Sequence, residues 1–280
     1  MLSPRMLLLV LVVGWAQFGA AVRAEPVITI GNSVSSAGRI SFDQVDHGDW
    51  DRLLHKYVDQ NGNVDYQMWK SSSVDTGRLR TYLESLAAVD PQSTLNRNDR
   101  LAFWMNAYNS LTIHGILRED PTTSIRNHTA TLFGYNIWKD LKLRVGDHTY
   151  SLDEMEHQIL RPMGDPRVHF GIVCASRGCP RLPNEAFVGA RVQRQLEANT
   201  RDFFARPQNF RYDVSGNRIH LSTILKWFGS DFGHDQRAIL KRIAPWLPDE
   251  RSRTAATHGA VSVSYLRYDW TLNDQQPSRQ

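Results

Sequence analysis

Asp165-Pro166-Arg167-Val168-His169-Phe170-Gly171-Ile172-Val173-Cys174-Ala175-Ser176-Arg177-Gly178-Cys179-Pro180 holds both cysteines of the chain, with four residues between them, just past an apolar run that carries one histidine. Asp165-Pro166 turns the chain. The unbroken apolar run that follows suits a strand covered on both faces, which places a central buried strand near residues 167–174. In open α/β sheets ligands gather where strands end, and Cys174 would emerge there. The small-residue loop to Cys179 leads to a long helix, predicted from Asn184, with Val192, Leu196 and Phe203 on its inner side. Backbone amides near such a helix start can lower a thiol pKa or hold an oxyanion.

The flanking sequence supplies what would cover that strand. Trp50, Leu53, Leu54, Tyr57 and Val58 recur at helical spacing. Leu79, Tyr82, Leu83 and Leu86 form a second stripe, stopped by Asp90-Pro91. A third helix, about Asp99 to Leu117, is apolar nearly all round and is therefore central. Its polar exceptions are Asn106, Asn109, Ser110 and His114. A buried amide costs a few kcal/mol, roughly, unless its hydrogen bonds are made. Two readings stay open for the asparagines: ties to adjoining loops, or groups that orient an imidazole or donate to an oxyanion.

Gly146-Asp147, between Lys142–Val145 and His148–Tyr150, is a hairpin signal. Ser151-Leu152-Asp153-Glu154 is a capping box that opens a short helix ending at Arg161-Pro162. Glu156 falls on that helix's apolar stripe with Leu152 and Leu160, so its carboxylate needs a partner. That partner is either a structural arginine or a histidine that Glu156 orients. His157 lies one step off the same face. Farther on, Phe210–Val214 and Ile219–Leu221 alternate as an antiparallel hairpin, and Val261, Val263 and Tyr265 as a last strand. The predicted class is α/β (mixed α+β), a helical N-terminal half packed on a small mixed sheet.

Residues 1–24 read as a secretory signal: Arg5, the largely apolar run Met6–Ala21, and Ala24 at the cleavage position. Residues 25–45 read as a loosely ordered leader, 46–273 as a single globular domain and 274–280 as a polar tail. No later segment offers the roughly 18 apolar residues of a membrane span. The expected home is the periplasm or the exterior, where disulfides persist. The formal charge of +4 falls to +2 once Arg5 and Arg23 leave with the signal. The arginines are scattered rather than clustered, which excludes nucleic acid as the expected partner.

Four segments share a likeness: Asn98 through His114, Ser151 through Arg161, Asp165 through Pro180, and Tyr268-Asp269-Trp270-Thr271-Leu272-Asn273. Together they resemble the domain of unknown function 547 family, found in exported bacterial proteins and in plants. The likeness spans about residues 48–273. It implies that the four segments converge on one site, and it brings no established activity.

Two functions follow from the residue types. One is a cysteine-dependent hydrolase acting by acyl transfer on a peptide-like or amide substrate. Cys174 or Cys179 would be nucleophile, His169 general base, and Glu156 or an asparagine the orienting group. In a regular strand, however, His169 and Cys174 point to opposite faces. The other is a non-enzymatic cell-envelope binding module stapled by a Cys174–Cys179 disulfide, since a lone pair of cysteines in an oxidising compartment tends to pair. Asn106, Asn109, His157, Ser176 and Arg177 are the candidate binding residues. No metal-ligand spacing and no phosphate-cradling glycine pattern is present, so no metal or cofactor is expected.

Overall fold

The structure is a computed structural model that describes residues 27–93, 96–130, 134–258 and 261–275. The signal segment, the first two leader residues and residues 276–280 of the tail lie outside the described residues. In chain order come β1 (Ile28–Ile30), α1 (Gly48–Tyr57), α2 (Tyr66–Ser71), α3 (Ser73–Ser85), α4 (Arg97–Glu119), α5 (Ile137–Asp140), β2 (Leu141–Val145), β3 (His148–Ser151) and α6 (Leu152–Glu154). The second half holds α7 (Val192–Ala205), β4 (Phe210–Asp213), β5 (Arg218–Ser222), α8 (Ile224–Trp227), α9 (Gly229–Phe232), α10 (Gln236–Ile243), α11 (Glu250–His258) and β6 (Ser262–Leu266). The class is mixed α+β, as the patterns predict.

Helix α4 is central because its apolar side chains leave no polar face: every residue from Leu101 to Ile113 is buried. Around it gather Trp50, Leu53, Leu54 and Tyr57 of α1 and Leu79, Tyr82 and Leu83 of α3 in one apolar cluster. A second cluster, built on Phe170, Phe203, Phe204, Ile219, Leu221 and Leu240, forms the C-terminal core. Each half has its own three-stranded mixed sheet. In the first, β1 runs parallel to β2, which pairs antiparallel with β3. In the second, β5 pairs antiparallel with β4 and parallel with β6. Gly146 turns the β2–β3 hairpin at φ 58°, where a side chain would be strained. The capping box forms as read: Ser151 caps Glu154 and is capped by it.

Three expectations are corrected. The leader is not loose throughout: β1 joins the first sheet, and Phe42 enters the core. The long helix begins at Val192, not Asn184. Most importantly, residues 167–174 are not a strand. Pro166–Phe170 is a 3-10 helix, and the chain then runs irregularly through Cys174. The run is buried, as its composition demands, but side-chain amides take the place of neighbouring strands. Asn109 donates to the Gly171 carbonyl at 2.9 Å and accepts from the Val173 N–H at 3.0 Å. Asn199 donates to the Phe170 carbonyl at 3.0 Å. Buried backbone groups must find partners, and asparagine satisfies them as well as a strand would.

Candidate functional site

A cavity of about 180 Å³ opens at the seam between the two clusters. Glu156, His169, Cys174 and Cys179 all line it. Because 167–174 is not a strand, the alternation that would separate His169 from Cys174 does not apply.

Glu156 arrives through a local distortion. After the single turn of α6 the backbone widens to a π-helix over Met155–Leu160. Such insertions re-aim side chains and are frequent at functional sites. The Glu156 carboxylate accepts one hydrogen bond, from the Tyr108 hydroxyl of α4 at 3.3 Å. Burial pushes its pKa up. Burial and the nearby carboxylate push the Tyr108 phenol well above its ordinary range.

His169 is buried, and its ring stacks on Phe228 with centroids 4.2 Å apart. Its Nε2 lies 2.7 Å from Asp231 Oδ2. Arg161 forks the same carboxylate, Nε to Oδ2 at 2.7 Å and Nη2 to Oδ1 at 2.8 Å. The Arg161 fork, with help from His169, holds the Asp231 pKa at about 2. An ionised carboxylate only accepts, so His169 Nε2 carries the proton and donates. Burial outweighs Asp231 and pulls the imidazole pKa down, so the ring is neutral at pH 7.

Cys174 and Cys179 form a disulfide. Tyr268 Oη lies 3.1 Å from each sulfur and 2.9 Å from Ser176 Oγ, and the Cys174 N–H donates to Cys179 Sγ at 3.0 Å. Among the described residues no hydrogen bond joins His169 to either sulfur. The loop is clipped to the C-terminal segment. Arg177 N–H donates to Thr271 O and Gly178 N–H to Asp269 O, both at 2.8 Å. A Cβ at Gly178 would sit 2.9 Å from Asp269 backbone atoms, so the close approach requires glycine. Ala175 adopts φ 56°, a strained position for alanine, and its carbonyl accepts from the Asn273 N–H.

Most of the remaining wall is aromatic, with Trp138, Trp227, Phe228, Tyr268 and Trp270, and the aliphatic Ile172, Val173, Pro180 and Ile224 complete it. Of the other candidates, Asn106 and Asn109 are outside the lining. Asn106 exchanges both of its amide bonds with Phe187, at 2.8 and 2.9 Å, as Asn109 does with Gly171 and Val173. His157 is exposed and accepts from Arg161 at 2.9 Å. Ser176 and Arg177 line a separate, more polar cavity of about 390 Å³ on the other side of the loop. Three of its four arginines are already engaged: Arg177 with the Asp274 carbonyl, Arg206 with Asp202 and the Asn61 carbonyl, Arg181 with Asp202; Arg267 is the fourth. That leaves the aromatic cavity as the better candidate. Among the described residues no group of three or more His, Cys, Asp or Glu is placed to hold a metal ion, and no helix is long and apolar enough to cross a membrane.

Residues 92–204 match the model of a family described as a protein of unknown function, DUF547. The chain carries a DUF547 domain. No curated protein and no solved structure matches the chain. The matched stretch is narrower than the motif likeness, and the pocket crosses its boundary. The DUF547 domain supplies Tyr108, Trp138, Glu156, His169 and both cysteines, while Trp227, Phe228, Tyr268, Trp270 and Asp231 follow it. Asp231, Trp227 and Phe228 escape sequence reasoning because nothing local marks them. Tyr268 and Trp270 stand in a quoted motif whose aromatic content is the usable signal.

Proposed function

We propose that this protein is an exported binding module that takes a small envelope ligand into the aromatic cavity, with the Cys174–Cys179 disulfide as a fixed wall. The observation that carries this reading is the lining of the cavity. An underused carboxyl, aromatic rings and an oxidised cysteine pair line one small cavity, the usual form of a ligand site: mostly apolar with few polar groups. Export rests on Arg5, the apolar run to Ala21 and Ala24, and an oxidised pair suits that compartment. The hydrolase reading needs a thiolate beside a base. Both sulfurs are in the disulfide, and His169 Nε2 is engaged with Asp231. What favours keeping it as the second reading is that His169, Glu156 and both cysteines share the cavity.

Iodoacetamide labelling of the native exported protein separates the two. The binding module shows no alkylated cysteine without reductant. Rapid alkylation near pH ~6, lost in His169→Ala, would sink the disulfide wall and favour the hydrolase reading. Binding itself is read from the indole N–H signals of Trp138, Trp227 and Trp270 in an NMR screen of small polar and apolar fragments. If no fragment moves any of them, the binding reading fails.

A further inference from the structure

Resting on that binding reading, we infer that the ligand presents a small organic ammonium group, held against the tryptophans with Glu156 as its counter-ion. The first support is the state of Glu156. A buried carboxylate is stable only with a proton, a cation or several donors. Among the described residues Glu156 makes no ion pair and accepts a single long hydrogen bond, from Tyr108 at 3.3 Å. The cation nearest along its helix, Arg161, is committed to Asp231 through two bonds at 2.7 and 2.8 Å. An anionic ligand would be repelled, and a neutral apolar one would leave the carboxyl unpaired. A cation satisfies it.

The second support is the wall. Aromatic faces attract cations, and quaternary ammonium groups are bound in just such aromatic enclosures. Phe228 already has His169 stacked on it at 4.2 Å and Arg161 at 5.3 Å, and Trp270 has Arg126 at 5.3 Å, so this role falls to Trp138 and Trp227. Trp227 packs on Trp270 at 5.6 Å and on Tyr268 at 4.8 Å, tilted in both cases rather than flush, and it is 46% exposed. It therefore forms a rim. A cavity of about 180 Å³ admits a head group; the rest of a larger ligand would project past Trp227.

The groups that act on Glu156 are Asp153, His157 and Arg161 on its own segment and Tyr108 from α4. Tyr268 approaches from the C-terminal segment, and His169, held to Asp231, also lines the cavity. Because burial raises the Glu156 pKa, the carboxyl is neutral below that value. Cation affinity should therefore fall as pH drops through its titration.

The test compares choline with dimethylbutanol, its neutral tert-butyl isostere, on the full exported protein, by calorimetry and the tryptophan indole signals. Choline should bind at least about tenfold more tightly at pH above the raised Glu156 pKa, where tenfold corresponds to about 1.4 kcal/mol. That preference should shrink on acidification and vanish in Glu156→Gln. Equal binding of the two probes in the wild-type protein overturns the ammonium inference and leaves the binding reading intact. Indole signals that respond to fragments but not to choline overturn it as well. Signals that respond to neither probe nor fragment remove both. The wild-type comparison decides the matter even if Glu156→Gln fails to fold.

Discussion

Asn109 and Glu156 are both polar groups set among apolar ones, and the protein treats them in opposite ways. Asn109 spends its carbonyl and its amide on the backbone at Val173 and Gly171. Glu156 accepts one long bond and is otherwise left to the cavity. A saturated polar side chain in a core is architecture, because nothing more can be gained from it. An unsaturated one leaves a demand that only a proton or an outside partner can meet. The difference separates residues that look alike in sequence, since both were candidates for the same site.

The largest effect should come from the saturated side. Asn109→Ala leaves a buried N–H and a buried carbonyl without partners, at about 4 kcal/mol in all. Chemical denaturation should show that loss as a lower midpoint. If Asn109→Ala is tolerated, the run from Gly171 to Val173 does not depend on it and the contrast collapses.

Acid should divide the two regions next. Burial, first of all, lowers the His114 pKa to about 4. A histidine depressed on folding contributes stability that is full above its unfolded pKa near 6.5 and lost as pH falls through the folded value. His114→Gln should therefore remove about 3 kcal/mol of acid destabilisation near pH ~4. Glu156 has the opposite sign. Its folded pKa is raised, so its relative contribution is present at low pH and lost as pH rises through that value. Glu156→Gln should stabilise the unliganded protein at pH above that raised value. Thermal midpoints across pH for the two variants should bend in opposite directions, and parallel curves would contradict the contrast.

The smallest effect belongs to the disulfide. It closes a short loop, so Cys174→Ser with Cys179→Ser should cost about 2 kcal/mol in calorimetry. Cavity binding should weaken more than stability does, because both sulfurs line the cavity. A variant that keeps full binding would show that the bridge is only a staple.

Much of this was legible in sequence. The all-round apolar pattern of 101–117 could only be a central helix, and the capping box at Ser151 named its own helix start. The run 168–173 has the pattern of a strand and is not one, because burial and backbone geometry are separate properties. An apolar run states that it is buried; which partners complete its hydrogen bonds depends on Asn109 and Asn199, distant in the chain. The site was half legible for the same reason. His169, Glu156 and the cysteines converge as their motifs suggested. The partner that fixes His169 stands 62 residues away, on a short helix with no motif of its own.

The C-terminal segment that clips the cysteine loop has a consequence in time. Asn273 bonds back to the Gly62 carbonyl and the Tyr66 hydroxyl, and Leu272 to the Thr123 carbonyl, while Tyr268 and Trp270 complete the cavity. These contacts join residues more than a hundred and forty positions apart, and so form late. Until residues 268–273 have been synthesised the cavity lacks the wall that Tyr268 and Trp270 supply, so on the proposed reading ligand capture must wait for that segment.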